Sequence, residues 1–170
     1  VSDYNEHKVL SERTLQASLW SHLQSKADQQ YIFVEPRLKL PNTEQGKPRH
    51  IIPDLVICRS KSVIAVIELK FMPRAAPNFL ADIKKLRSIY VERASIQLHL
   101  PRFMGISAKE HAYKITDKTQ FVLGCISNKP PTGLASFVDG IEESGLKGRA
   151  AILLGETSAG TKCKAMTERI

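Results

Sequence analysis

Leu15, Leu19 and Leu23 recur at helical spacing behind Ser11, whose hydroxyl suits an N-cap. Glu12 falls in the first turn, where the helix dipole favours an anion. The pattern predicts a helix over residues 11–26. An earlier start is also written in the chain, because Asp3 with Glu6 three residues on has the layout of a capping box. Three strands are then predicted, over 31–40, 51–58 and 63–71. A polar loop at 41–48 and a short turn at 59–62 separate them. The third strand is apolar on both faces until Glu68, the mark of a buried central strand.

Phe79, Leu80, Ile83, Leu86 and Tyr90 make an apolar stripe of helical period, with Pro77 in the first turn. This helix is expected to reach about residue 98, ahead of Pro101. Residues 102–118 read as a loop with a short helix. A strand at 119–127, a helix at 132–144 and a strand at 149–155 follow, and 156–170 read as a frayed polar tail. The short turns imply an antiparallel meander for the first three strands. The long helix after the third implies a parallel crossover to the fourth. The expected fold class is α/β, with a mixed central sheet flanked by helices. One domain is expected over 1–170, with its core at 11–127 and a C-terminal helix and strand at 130–155.

Composition changes this picture little. The longest apolar run, 63–67, is far too short to span a membrane, and the first six residues lack the basic-then-apolar layout of a signal peptide. Three scattered cysteines without a CxxC pair suggest neither a zinc site nor a disulfide framework. They fit a reducing cytoplasm, and Cys58 and Cys125 read as small core residues. The formal charge of +8 does more, since it favours encounter with polyanions. Histidines 7, 22, 99 and 111 show no metal spacing, and no nucleophile elbow is present.

Chemistry concentrates in the second and third strands. With a three-residue hairpin loop, 60–62, Arg59 closes against Val63 and opposed residue numbers sum to 122. Asp54 then faces Glu68, and Lys70 shares the face of Glu68. Opposed carboxylates on an apolar strand are costly, because like charges repel across about 5 Å and desolvation adds to that. Such a pair wants a cation, and Lys70 neutralises only part of the charge. Mg²⁺, which takes one or two carboxylates with waters and phosphates, suits the place. The Leu69 backbone carbonyl is a further candidate ligand. A cation here would polarise a phosphodiester and stabilise the leaving oxygen. Lys70 would orient or deprotonate a water, or stabilise transition-state charge, and the residues alone do not choose among these.

Pro53-Asp54, thirteen residues, then Glu68-Leu69-Lys70 resembles the signature of the PD-(D/E)XK nuclease superfamily. That superfamily includes restriction endonucleases, Holliday-junction resolvases and repair nucleases. Its restriction endonuclease-like core runs αβββαβ, the order read for residues 11–127. The resemblance implies metal binding by Asp54 and Glu68, a catalytic Lys70, and Mg²⁺ or Mn²⁺ as cofactor. It makes a DNA endonuclease of restriction, defence, recombination or repair the leading expectation. The alternatives are an RNA nuclease with the same site, or a binding or assembly subunit on a nuclease fold. A homodimer would supply two cuts to a duplex, though no residue pattern requires one.

Lesser candidates carry more than one reading each. Ser11-Glu12-Arg13 is similar to the resolvase-like version of the first helix. Glu12 is then a further metal ligand, or it simply complements the helix dipole. Glu35 flanks Asp54, or is an exposed strand residue. Lys85 touches phosphate or pairs with Asp82 at i,i+3, or simply belongs to a solvated helix face. Lys39, Lys47, Arg49 and His50 track a nucleic-acid backbone, with Lys61, Arg74 and Arg87 extending the track, or are scattered solubilising charge.

Overall fold

The computed structural model describes residues 1–6, 8–41, 49–75, 78–104, 107–128, 145–157 and 163–169. They form an α/β fold with three helices and one mixed sheet. The order is α1 (Ser2–Asn5), α2 (Glu12–Lys26), β1 (Gln30–Val34), β2 (Leu38–Leu40), β3 (Arg49–Ile51), β4 (Leu55–Arg59), β5 (Ser62–Met72), α3 (Leu80–Val91), β6 (Gln97–Met104), β7 (Ser107–Ser127), β8 (Ala150–Thr157) and β9 (Cys163–Arg169). No helix among the described residues is long and apolar enough to cross a membrane.

Helix α2 starts where its cap predicts. The Ser11 hydroxyl accepts from the Thr14 N–H at 3.2 Å, and the Thr14 hydroxyl accepts from the Ser11 N–H at 2.9 Å. The earlier start does not extend this helix. It makes the separate single turn α1, whose Asp3 accepts from the Ser18 hydroxyl of α2 at 2.6 Å.

Strands β1, β4 and β5 form the expected antiparallel set, and β5 pairs in parallel with β7. Two expected strands are broken. The 31–40 strand divides at Glu35, whose φ of 47° is left-handed and turns the chain. The 51–58 strand divides around Pro53. The pieces released, β2 and β3, pair with each other and join β6. Strand order is β1-β4-β5-β7-β6-β2-β3, with β8 and β9 continuing from β7. Only residues 35–37 connect β1 at one end of this path to β2 near the other, so the sheet curls until its two ends approach.

Residues 97–104 and 107–118, expected to end a helix and then form a loop, are instead strand. Gln97–Met104 of β6 pairs antiparallel with Ser107–Lys114 at the start of β7. Helix α3 stops at Val91, and Ile96, Leu98 and Leu100 are buried at period two. The described residues of the expected tail are not frayed, since β8 runs to Thr157 and pairs antiparallel with β9. The expected helix at 132–144 lies outside the described residues.

The sheet buries both faces. One carries Val56, Cys58, Val63, Val66, Phe121 and Leu123 against Ile83, Leu86 and Ile89 of α3. The other packs Ile32, Leu55, Ile57, Ile67 and Leu69 against Leu15, Leu19 and Leu23 of α2.

Candidate active site

The β4–β5 hairpin sets the site. Its turn has two residues, Ser60 and Lys61, rather than three, because Arg59 pairs with Ser62. Ser60 has the positive φ, 55°, that tight hairpins need. Strand β5 then carries an extra residue, Ile64, between Val63 opposite Cys58 and Ala65 opposite Ile57. The short turn and the bulge cancel, so Leu55 faces Ile67 with numbers summing to 122. At the bulge the buried Thr119 hydroxyl donates to the Val63 carbonyl at 2.8 Å, satisfying a group the broken ladder leaves open.

The ladder ends at Leu55, one residue short of Asp54. Continued, its register sets Asp54 opposite Glu68. Asp54 Oδ2 accepts the Leu69 N–H at 2.6 Å, so a carboxylate occupies the place of the next strand residue. Its backbone carbonyl accepts from Gln16 Nε2 and from the Glu35 N–H, both at 2.9 Å.

Val66, Glu68 and Lys70 alternate onto the α3 face. Two charges of α3 meet two of β5. Lys85 Nζ donates to Glu68 Oε2 at 2.6 Å, and Lys70 Nζ lies 3.3 Å from Asp82 Oδ1. Helix residues three apart thus meet strand residues two apart, a match of about 4.5 Å of helix to about 6.6 Å of strand. Glu68 and Asp82 are only 3% and 6% exposed. Each keeps one buried oxygen, Glu68 Oε1 and Asp82 Oδ2, without a hydrogen-bond partner.

Burial pushes the Glu68 carboxyl up to about 7, against the pull of Lys85, and Asp54 and Asp82 push it the same way. Burial also raises Asp54, against the Leu69 N–H and the nearby Lys85 and Lys70. On Lys70, burial is the largest single influence and lowers its pKa. Asp82, Glu12 and Glu68 together outweigh it, so the amine is held above its ordinary value.

Glu12 is exposed at the start of α2, and its field reaches both Lys70 and Cys125. It faces the same end of the sheet as the site. Cys125, paired in register with Lys70, is buried, and burial pushes its thiol up to about 11, so it is an inert core group. Glu35 is exposed and meets Asp54 through its backbone.

Among the described residues no three His, Cys, Asp or Glu side chains converge as a metal cage. The candidate donor set is smaller: the Asp54 and Glu68 carboxylates and the Leu69 carbonyl. These are hard oxygen donors of the kind Mg²⁺ takes while keeping several waters. The unpartnered Glu68 Oε1 fits such an ion.

Two expectations need correction. Lys85 does not pair with Asp82; it neutralises Glu68 and, like Lys70, is part-exposed. Arg49 does not stand free for phosphate. It pairs with Glu92 at 3.0 Å, on the far hairpin where Lys39 lies exposed opposite His50. Lys47 lies outside the described residues. Sequence reading gave Asp82 no role beyond a partner for Lys85, and it missed Gln16. Both are polar residues at apolar-stripe positions, Asp82 beside Ile83 and Gln16 beside Leu15, and that placement was the available signal.

No family model matches the chain, and no curated protein matches it. A solved structure, that of Pyrococcus furiosus SfsA in complex with Ca²⁺, is similar at 14% identity and a TM-score of 0.41. The likeness covers 92% of this chain, which spans 62% of that one. So loose a likeness carries neither fold family nor chemistry.

Proposed function

We propose that this chain is a metal-dependent nuclease of the PD-(D/E)XK type, acting on DNA. The observation that carries the reading is Glu68. It is a buried carboxylate with one unpartnered oxygen, two residues from Lys70, and the β4–β5 register continued one step past Leu55 would bring it across from Asp54. The order α2, β1, β4, β5, α3, β7 supports a restriction endonuclease-like αβββαβ core, with β2–β3 and β6 as insertions. The charge of +8 suits a polyanionic substrate.

Asp54 and Glu68 would hold Mg²⁺ or Mn²⁺. The Leu69 carbonyl would be a third donor, because N–H and C=O of one strand residue point to the same edge and the Leu69 N–H already points at Asp54. The bound cation supplies Lewis-acid polarisation of the scissile phosphate. Lys70, cationic and part-exposed, stabilises charge on the phosphate oxygens. For Lys70 to reach substrate it must leave Asp82, an exchange of one anionic partner for another. Glu12, in the field of Lys70, is an outer acidic member of the site.

The test is cleavage of linear, supercoiled, branched and single-stranded DNA, and of RNA, with Mg²⁺ or Mn²⁺. Wild type is expected to cut DNA, and Asp54→Ala and Lys70→Ala to lose at least about 10³-fold, several kcal/mol of transition-state stabilisation. Cleavage of RNA alone would move the substrate assignment. Equal behaviour of all three proteins on every substrate would sink the nuclease reading.

A further inference from the structure

Helix α2 packs its apolar stripe on the sheet, yet Gln16 is buried within that contact, 7% exposed. A buried amide needs partners for its polar atoms. Its Nε2 donates at 2.9 Å to the carbonyl of Asp54, thirty-eight positions away. The same carbonyl accepts the Glu35 N–H, so both its lone pairs are used. Asp54 is thereby fixed at two points, its carbonyl by Gln16 and Glu35 and its carboxylate by the Leu69 N–H. It sits one residue beyond the last β4–β5 ladder pair, Leu55 with Ile67, so on the β5 side only its carboxylate meets the strand.

We propose that Gln16 is a positioning residue for Asp54. It ties α2 to the peptide that aims the Asp54 carboxylate and, through the same helix, sets Glu12 one turn earlier toward Lys70. The consequence for activity rests on the metal-nuclease reading. The hold on Asp54 has its own readout in the Leu69 amide, whose proton should lie downfield through its short bond to a carboxylate.

Two variants separate positioning from packing. Gln16→Met keeps the unbranched stem and removes the donor, and the Asp54 carbonyl keeps Glu35. Gln16→Glu keeps the shape but sets an acceptor against a carbonyl. Leu19→Met, in the same helix–sheet contact, is the packing control. Both Gln16 variants are expected to shift the Leu69 amide proton upfield. They should weaken Mn²⁺ binding by calorimetry about tenfold to a hundredfold and lower kcat by a similar factor, with KM for DNA little changed. The control should match wild type in all three. If the Gln16→Met and Gln16→Glu amide proton, Mn²⁺ affinity and kcat all equal wild type, the positioning role is overturned and the nuclease reading stands. If wild type itself neither binds Mn²⁺ nor cuts, the nuclease reading falls, and the Leu69 amide shift alone decides whether Gln16 holds Asp54.

Discussion

Strand β5 shows two different surfaces. Toward α2 it presents Ile67 and Leu69, packed on leucines with no charge among them. Toward α3 it presents Val63 and Val66, then Glu68 and Lys70, crossed with Lys85 and Asp82. The first surface is what a buried strand needs for stability, at about 25 cal/mol per Å² of apolar area removed from water. The second is a poor way to obtain it. Desolvating paired charges commonly offsets their attraction, so apolar residues of similar size would hold α3 at least as well. Two buried carboxylate oxygens even lack partners. On β5 the α2 face is apolar throughout, whereas the α3 face joins the main core through Val63 and Val66 and then ends in the charges of the candidate site.

The strongest way to break this contrast is to cut each face once. Ile67→Ala should lower stability by about 2–5 kcal/mol and leave cleavage per folded molecule within about twofold. Glu68→Ala should lower cleavage at least about 10³-fold while changing metal-free stability much less. Denaturant melts beside single-turnover rates decide it, and the reverse outcome would mean the faces have been assigned the wrong way round.

A smaller effect sharpens the contrast through pH. The Glu68 carboxyl titrates near 7 when folded, against 4.5 as its ordinary value. Between these values the folded chain binds the extra proton, so stability falls as pH rises from about 4.5 to about 7, by something of the order of 3 kcal/mol. Asp54, also raised by burial, adds in the same direction. The wild-type minus Glu68→Gln difference in unfolding free energy, measured without divalent cations, isolates the slope. Ile67→Ala should lower the whole curve without altering its shape. A wild-type difference that is flat or rises across this window would contradict the burial argument.

The β4–β5 register was more legible in the sequence than the fold around it. The register that opposes Asp54 and Glu68 was derived from a three-residue turn, whereas the chain uses a two-residue turn and a bulge at Ile64. The sum of 122 survives because the two departures cancel. The bulge was invisible because residues 63–67 are apolar throughout, and a run without alternation cannot reveal an inserted residue. Strand β6 was hidden differently. Ile96, Leu98 and Leu100 alternate at period two, but they follow an apolar helical stripe closely enough to be read as its last turn. The break at Glu35 gave no signal, since a left-handed non-glycine residue is held by context and here its N–H is fixed on Asp54. Lys85 and Asp82 could be placed on their helix but not given partners, because the helix–strand crossing is a tertiary fact.

The central claim is that Asp54 and Glu68 share one cation. It is tested most directly by locating Mn²⁺ from its anomalous scattering in crystals of the wild-type chain. One strong peak is expected within bonding distance of both carboxylates, near the Leu69 carbonyl, and it should be lost in Asp54→Ala. No peak between Asp54 and Glu68 at saturating Mn²⁺, with Lys85 still closed on Glu68, would contradict it.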